Sequence, residues 1–391
     1  MKIAVVVHNR FHAYDLAREL IRRGQDATLV TNYPKWAVRR WGVPDERVWS
    51  FWPEGVISRA MQKLGIGPFH DSAYLPWFGR WAAARLQKEN WDVALCWSSM
   101  GEEVFQALEG KRSIRVCHRT SAHIRAQDRL LREERERVGV PLELPHPWSI
   151  AREEREYRLA DRILVPSSFV RETFLQEGFP MEKLWMVPLG ADTWMFRSDP
   201  GVVEERIKRI LSGAPLRVLN TGTFSYRKGM HDLARAIEAV DPDRFVFRFV
   251  GPVLPETRAL ARCLRQRAEF TGRCPQEMLP RHYAWADFFV LPTIEDGFQL
   301  VLGQASVAGL PILTTPNGAG HDLVLEGRNG WLIPVRSPEA IMERLRWCDA
   351  NREELAEMAR RIPRDYRPRD WADVAGEIEK ECAAAIGDRG L

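Results

Sequence analysis

The chain has 391 residues, 45% of them apolar, and a formal net charge of +4. This length exceeds one ordinary hydrophobic core and predicts two domains, while the modest charge argues against a dedicated nucleic-acid-binding protein. The apolar runs are too short to span a bilayer, and Met1 to Val7 is typical of a strand rather than a signal peptide, so we expect a cytoplasmic protein. The six cysteines show no Cys-x-x-Cys pair or zinc spacing and indicate reduced thiols.

The first half of the chain alternates short apolar strands with helical segments, which predicts an α/β domain. The predicted strands are residues 3–7, 26–31, 92–96, 113–117 and 162–166, and the predicted helices include 14–23, 78–88 and 124–137. The helix over 124–137 alternates positive and negative charges, a pattern that usually indicates a solvent-exposed face.

Aromatic and basic residues are interleaved early in the chain. They are Trp36, Trp41, Trp49, Phe51 and Trp52, together with Lys35, Arg39, Arg40 and Arg47. One interpretation is a surface for peripheral contact with a membrane, where rings meet headgroups and cations meet phosphates. We favour the other, in which the rings pack beneath a long loop.

A linker is predicted between residues 187 and 200, where Pro188, Gly190 and Pro200 interrupt the periodic pattern. We therefore assign residues 1–190 to the first domain and residues 191–369 to the second, in which a new α/β series begins at Leu216.

The second domain opens with a strand over residues 216–220, a loop containing Gly222 and Thr223, and a helix over 231–240. Arg227 and Lys228 lie at the mouth of this helix. An adjacent guanidinium and ammonium group suit a diphosphate, and their position after a strand, a glycine and hydroxyl residues favours that role over two solvated surface cations.

A second loop of this kind follows the apolar strand 288–291 and contains Glu295, Asp296 and Gly297. Because a helix begins directly afterwards, several backbone N–H groups and the positive helix end point to one place, where a phosphate or a sugar hydroxyl would bind. The N–H groups concerned belong to Gly297, Phe298, Gln299, Leu300 and Val301. The alternative is that Asp296 merely caps the helix.

Together these two segments resemble the retaining nucleotide-sugar glycosyltransferases of family four, which have the GT-B fold. That family has a glycine six residues before a Lys-Gly pair, matched here by Gly222 and Lys228-Gly229. It also has an acidic residue, Gly-Phe-Gly, and a second acidic residue eight positions after the first. The match is Asp296-Gly297-Phe298-Gln299, with Gln304 in place of the second acid. The loop beginning Asn9-Arg10-Phe11-His12 is similar to a subset of the family.

The resemblance implies a fold and a set of donor contacts. Two Rossmann-like, doubly wound domains would face each other across a cleft, and the C-terminal helix 370–391 would complete the first. Asp296 would contact hydroxyls of the donor sugar, and Gln304 would hold the ribose. The diphosphate and base would be held or bordered by Gly222, Thr223, Arg227, Lys228 and Arg273.

Three histidines are the candidates from the first domain. His118 follows the strand 113–117 where family members often carry a histidine, and His123 in the same loop is its competitor. His12 would contact the acceptor from the first loop, or cap its helix. Neither a metal nor a cofactor is expected, since Arg227 and Lys228 can neutralise the leaving group.

The expected activity is therefore transfer of a sugar from a nucleoside diphosphate sugar to a glycan or lipid-linked glycan. By analogy with the family, the configuration is retained through front-face displacement. The alternatives are a GT-B sugar-nucleotide epimerase and a non-catalytic sugar-nucleotide-binding protein.

Overall fold

The computed structural model describes residues 1–64 and 70–388, and its first half contains a seven-stranded parallel sheet in the order β3-β2-β1-β4-β5-β6-β7. The strands are β1 (Lys2–Val7), β2 (Asp26–Thr31), β3 (Val48–Ser50), β4 (Val93–Trp97), β5 (Ile114–His118), β6 (Arg162–Val165) and β7 (Leu184–Met186). The sequence predicts five of these strands. It misses β3 and β7 because three residues are too few to show a strand pattern.

Helices cover both faces of this sheet. They are α1 (Ala13–Arg22), α2 (Lys35–Val38), α3 (Trp52–Lys63), α4 (His70–Leu86), α5 (Glu102–Ala107), α6 (Ile124–Val138), α7 (Pro147–Leu159) and α8 (Ser168–Gln176). The largest difference from the prediction is α4, which begins at His70 rather than at Phe78. Pro76 lies inside this helix and suggests a later start.

The second half contains a six-stranded parallel sheet in the order β10-β9-β8-β11-β12-β13. Its strands are β8 (Leu216–Thr221), β9 (Phe245–Val250), β10 (Ala268–Gly272), β11 (Phe288–Leu291), β12 (Ile312–Thr314) and β13 (Gly330–Leu332). The remaining helices are α9 (Thr193–Phe196), α10 (Pro200–Leu211), α11 (Met230–Ala239), α12 (Arg258–Leu264), α13 (Leu279–Trp285), α14 (Leu300–Val307), α15 (Gly320–Leu323), α16 (Pro338–Ala350), α17 (Arg352–Asp365) and α18 (Trp371–Asp388). The prediction of two α/β domains is confirmed.

Alternate residues of β1 belong to different hydrophobic cores. Ile3, Val5 and Val7 pack on one face of the first sheet, and Ala4 and Val6 pack on the other. All five are fully buried. This is the burial expected of a parallel strand covered on both faces.

The last helix returns to the first domain. α18 packs against α1, and Arg23 Nε donates to Glu379 Oε2 at 2.7 Å. Trp371 at its start is buried and reaches the space between the two halves. None of the helices within residues 1–64 and 70–388 has the length and apolar character that crossing a membrane requires.

Part of the charged surface of α6 contacts the second domain, whereas Arg125, Arg129 and Arg132 are exposed, as the charge alternation predicts. Arg137 donates to both carboxylate oxygens of Asp232 at 2.8 Å, and Arg336 donates to Glu134 at 3.0 Å. Asp232 and Glu134 are buried. Charge alternation alone does not distinguish water from a charged partner, and here a distant segment supplies the partner.

Candidate active site

The two halves enclose a cleft of about 720 Å³, here called the large cleft. It lies at the carboxyl ends of β1, β8, β9 and β10, the edge at which open parallel sheets bind ligands. The predicted site residues that line it are His12, Gly222, Arg273, Leu300, Val301 and Gln304.

Backbone groups face the large cleft where β8 ends. Gly222 and Gly251 have φ values of 124° and 147°, and a Cβ on Gly251 would overlap the carbonyl of Gly222. The first turn of α14, which contains Leu300 and Val301, lines the same cleft. Amides in a first turn have no partner within their helix, so this arrangement suits a phosphate.

A hydrogen-bond chain orients the amide of Gln304. The Tyr283 hydroxyl lies 2.7 Å from Thr221 Oγ1 and donates to Gln304 Oε1 at 2.8 Å. Because this bond occupies the amide oxygen, the Nε2 donor is left for a ligand. An amide donor suits a ribose hydroxyl, although it lacks the charge of a carboxylate.

Arg227 and Lys228 face a second space of about 530 Å³, here called the side cavity, together with Thr223. Arg227 Nε lies 2.8 Å from Glu295 Oε2, and Lys228 is paired with Asp296. Gly222 lines the large cleft and its neighbour Thr223 lines the side cavity, so the loop after β8 runs between the two spaces. The structure thus places both cations between the domains but separates them from the cleft that contains the start of α14.

Asp296 does not cap α14. That helix begins at Leu300 after Gln299, whose side chain makes no capping bond. Burial alone would raise the pKa of Asp296, but Lys228 and Arg227 outweigh it and the pKa is lowered. Asp296 is therefore an anion that accepts from the Gly297 N–H at 2.9 Å.

Gln299 and Phe298 are buried beneath the loop rather than exposed in the large cleft. Gln299 Nε2 donates to the Asn317 carbonyl at 3.2 Å, and its Oε1 accepts from the Ala319 N–H at 2.7 Å. A Cβ on Gly318 would overlap this side chain. The glutamine that replaces the family's glycine therefore holds the segment 317–319.

Gly297 is the point at which the loop between β11 and α14 meets the first domain. A Cβ there would overlap the carbonyl of Thr120, and the Gly297 carbonyl accepts from Ser167 Oγ at 2.7 Å. A glycine at this position permits contact between the two backbones.

The three candidate histidines occupy different environments. His12 lines the large cleft and stacks on Trp371 with ring centroids 5.4 Å apart. It occupies the N-cap position of α1, but its side chain makes no capping bond, so the capping alternative is wrong. His118 lies behind it, 5.2 Å from the His12 ring and 1% exposed.

Burial lowers the pKa of His12 to about 3. Burial, with a further contribution from His12, also lowers the pKa of His118 well below its ordinary value. Neither ring nitrogen of His118 has a hydrogen-bond partner among the described residues. Both imidazoles are therefore neutral at pH 7 and can accept or donate a hydrogen bond.

His123 faces neither space, which corrects the prediction that two histidines of this loop point toward the cleft. Its Nδ1 accepts from the Arg125 N–H at 3.3 Å and caps α6. Its ring packs against Tyr157, Phe174 and Phe179. The reason is that α6 begins one residue later, which turns this side chain into the core.

Two further residues, to which the sequence assigned no role, contribute to the two spaces or to their walls. Arg10 lines the large cleft with its guanidinium 3.2 Å from the centre of the Trp41 ring. Glu295 is fully buried and accepts from the Ala122 N–H at 3.0 Å and from Gln127 Nε2 at 3.2 Å. The loop similarity at Asn9 to Ala17 pointed to Arg10, whereas no local pattern reveals the partners of Glu295.

Metal ligands are not grouped in the part of the chain that the structure describes. No set of three or more His, Cys, Asp or Glu side chains there could hold an ion.

Comparison with known proteins places both halves in related families. Residues 11–194 match the model described as Glycosyltransferase Family 4, and residues 215–351 match Glycosyl transferases group 1. A GDP-mannose-dependent alpha-(1-6)-phosphatidylinositol monomannoside mannosyltransferase of Mycobacterium tuberculosis is 29% identical over 54% of this chain and 57% of its own length. The sulfoquinovosyl transferase SQD2 of Arabidopsis thaliana is 26% identical over 60% of this chain and 46% of its own length. The chain thus spans about half the length of these relatives.

The fold has solved counterparts. Anabaena Alr3699/HepE in complex with UDP has a TM-score of 0.70 and 16% identity, with 98% of this chain and 100% of that chain covered. The same protein is also known with UDP-glucose. With both family models matched in chain order and two facing parallel-sheet domains, the chain belongs to the family-four, group 1 type of glycosyltransferases with the GT-B fold.

Proposed function

We propose that this protein is a retaining glycosyltransferase that uses a nucleoside diphosphate sugar as donor and a glycan or lipid-linked glycan as acceptor. The observation that carries the proposal is the meeting of three features in the large cleft: the bare backbone at Gly222, the amino end of α14 and the oriented amide of Gln304. The first two suit a diphosphate and the third suits a ribose.

Donor contacts follow from this placement. The nucleoside lies in the large cleft with Arg273 at its border, and the diphosphate lies over Gly222. Lys228 reaches the diphosphate by exchanging its partner Asp296, which is then free to accept hydroxyls of the sugar. Hydrogen-bond donors held in fixed positions stabilise the negative charge that develops on the leaving diphosphate, and this lowers the barrier to transfer.

In the proposed reaction, the bond between the anomeric carbon and the donor phosphate oxygen breaks. A bond from the acceptor oxygen to the same face of that carbon forms, and the departing diphosphate takes the acceptor proton. His12 and His118, as neutral imidazoles on the first-domain side, position the reacting groups. Closure of the domains excludes water and suppresses donor hydrolysis.

Titration calorimetry with UDP-glucose and GDP-mannose tests the donor. UDP-glucose is bound in the solved structure of HepE, and GDP-mannose is the donor in the name of the mycobacterial relative. Release of nucleoside diphosphate, measured with and without a glycan acceptor, then tests transfer. Binding with release supports the transferase, whereas binding without release, or conversion of the donor to another sugar nucleotide, contradicts it.

Replacing Lys228 by alanine tests the diphosphate contact. We expect Lys228→Ala to weaken donor binding about 100-fold, since a charge-assisted bond to phosphate is lost, and His118→Ala to leave donor affinity unchanged. Lys208→Ala, on an exposed position of α10, is the matched control. Equal losses for Lys228→Ala and His118→Ala would contradict these assignments.

A further inference from the structure

Helix α3 has its polar and apolar sides reversed. Glu54 and Ser58 are 0% and 2% exposed, whereas Trp52, Val56 and Ile57 are 54%, 52% and 43% exposed. The buried carboxylate of Glu54 is held by His8 Nε2, with its oxygens at 3.0 and 3.1 Å. A helix at a water-exposed surface normally shows the opposite arrangement, so this one is shaped for an apolar medium on its outer side.

Other exposed apolar side chains continue this surface. Leu64, immediately after α3, is 72% exposed and Trp36 is 63% exposed. Trp77 of α4 is 37% exposed and meets the Phe51 ring at 5.1 Å. Phe51 in turn stacks on Trp81 at 4.9 Å, so a rigid aromatic layer supports the exposed residues from within.

Positive charge is in excess in the same segment of the chain. The segment from residue 35 to residue 63 carries six cations against three carboxylates, and one of those carboxylates, Glu54, is buried. The cations are Lys35, Arg39, Arg40, Arg47, Arg59 and Lys63, and the carboxylates are Asp45, Glu46 and Glu54. Of these cations, Arg39 pairs with Asp45 and Arg47 pairs with Asp26. Arg40 lies 5.5 Å from the centre of the exposed Trp36 ring.

The start of α3 lies at the same edge of the first sheet as the large cleft. α3 follows β3, which is parallel to β2 and therefore to β1, the strand that precedes the His12 loop. The loop after β1 also touches the loop after β2, since the Asn9 N–H donates to Asn32 Oδ1 at 2.8 Å. A substrate held at that surface would therefore be on the cleft side of the domain.

We propose that this surface docks on a lipid bilayer that contains anionic lipids. We call it the α3 face and define it by Trp36, Trp52, Val56, Ile57, Leu64 and Trp77. The apolar side chains enter the headgroup region and the surrounding cations meet lipid phosphates. Exposed tryptophans flanked by cations are typical of the boundary between a bilayer and water. The core of a protein–protein interface is instead depleted of charge. The proposal is independent of the transferase activity.

The test is co-sedimentation of the full chain with phosphatidylcholine vesicles, with and without phosphatidylglycerol. We expect binding to the anionic vesicles that weakens with added salt. Ile57→Glu should bind about ten-fold or more weakly, because an apolar side chain that enters the bilayer is replaced by a negative charge that faces anionic lipid. Leu211→Glu, at a half-exposed position of the second domain, is the matched control and should bind like the wild type.

Three results would overturn the proposal: no pelleting with anionic vesicles, equal pelleting with neutral vesicles alone, or equal loss in the Leu211→Glu control. Thermal unfolding of each variant verifies that it is folded. Calorimetric donor binding should be the same for Ile57→Glu and wild type, so failure of the membrane proposal and failure of the proposed activity remain distinguishable.

Discussion

The histidines of the first domain are distinguished by what surrounds them. His12 and His118 form an aromatic cluster with Trp97 and Trp371, in which His12 and Trp371 line the large cleft and His118 and Trp97 are buried behind them. His123, only five positions after His118, belongs to the core. Because burial among rings disfavours the charged imidazolium, His12 and His118 stay neutral over the physiological pH range.

Acidification should therefore unfold the protein through these groups. The folded pKa values of His12 and His123 are lowered to about 3 and that of His118 lies well below its ordinary value. The unfolded chain therefore binds more protons below pH ~6.5, and stability present above that pH is lost as the pH falls. In denaturant titrations between pH 6.5 and 4.5, we expect His118→Asn to make this loss shallower by about 1.4 kcal/mol per pH unit.

His321→Asn, at an exposed position of α15, is the matched control for loss of an imidazole. Parallel slopes for wild type and His118→Asn would show that His118 does not remain neutral in the folded protein. The slopes of stability against pH are compared because the loss of stability caused by the smaller asparagine side chain is the same at every pH and cancels.

Gln304 offers a test of the ribose contact. In Gln304→Glu, Tyr283 still donates to the side chain, and a carboxylate accepts the ribose hydroxyls with charge assistance. We expect donor binding to tighten about five-fold in calorimetry, and Gln304→Leu to weaken it by a similar factor or more. Gln176→Glu, on α8, is the control. Weaker binding in both Gln304 variants would contradict the ribose assignment.

At the scale of the elements, the sequence predicts what depends on neighbouring residues. The long apolar runs of β1, β8 and β11 and the loops after β8 and β11 are predicted because each pattern is local. The side cavity was not predicted, because it depends on α6 and α7 lying opposite Arg227 and Lys228. The same holds for Glu295 and for the Tyr283–Gln304 bond, whose partners are far apart in the chain.

The contact at Gly297 should control how closely the loop between β11 and α14 approaches the loop after β5. In Gly297→Ala, the new methyl group overlaps the Thr120 carbonyl and holds the two loops apart. We expect the turnover number to fall about 100-fold with donor binding retained, since a small displacement of reacting groups is costly. Stability should fall by about 1–3 kcal/mol.

Gly201→Ala is the matched control for Gly297→Ala, because a Cβ at residue 201 meets nothing within 4 Å. Steady-state kinetics and calorimetry on both variants separate turnover from binding. A Gly297→Ala enzyme with unchanged turnover would show that the two loops separate during the reaction.

At the scale of the whole molecule, much of the contact between the domains is ionic. Arg137 with Asp232, Arg336 with Glu133 and Glu134, and Ser168 with Asp322 all join the two halves. Because Asp232 and Glu134 are buried, breaking these pairs leaves a charge without a partner. The closed arrangement is therefore sensitive to single substitutions on α6.

Arg137→Met should favour an open arrangement. It removes the guanidinium that contacts Asp232 and leaves that carboxylate buried and unpaired. If the domains do not rearrange, the stability of the protein falls by about 3–5 kcal/mol. We expect an increased radius of gyration in small-angle X-ray scattering and faster donor hydrolysis relative to transfer. Arg132→Met, which removes a pair within α6, is the control. An unchanged radius and hydrolysis ratio would contradict a role in closure.

Trp371 and the rest of α18 have a consequence for biosynthesis. The helix is made after both sheets, yet it covers α1 of the first domain and supplies the ring on which His12 stacks. Domains generally fold in order as the chain leaves the ribosome. Here a nascent polypeptide that ends before residue 371 exposes an apolar side of α1 to chaperones and lacks one wall of the large cleft, so the first domain is complete only once α18 has been made.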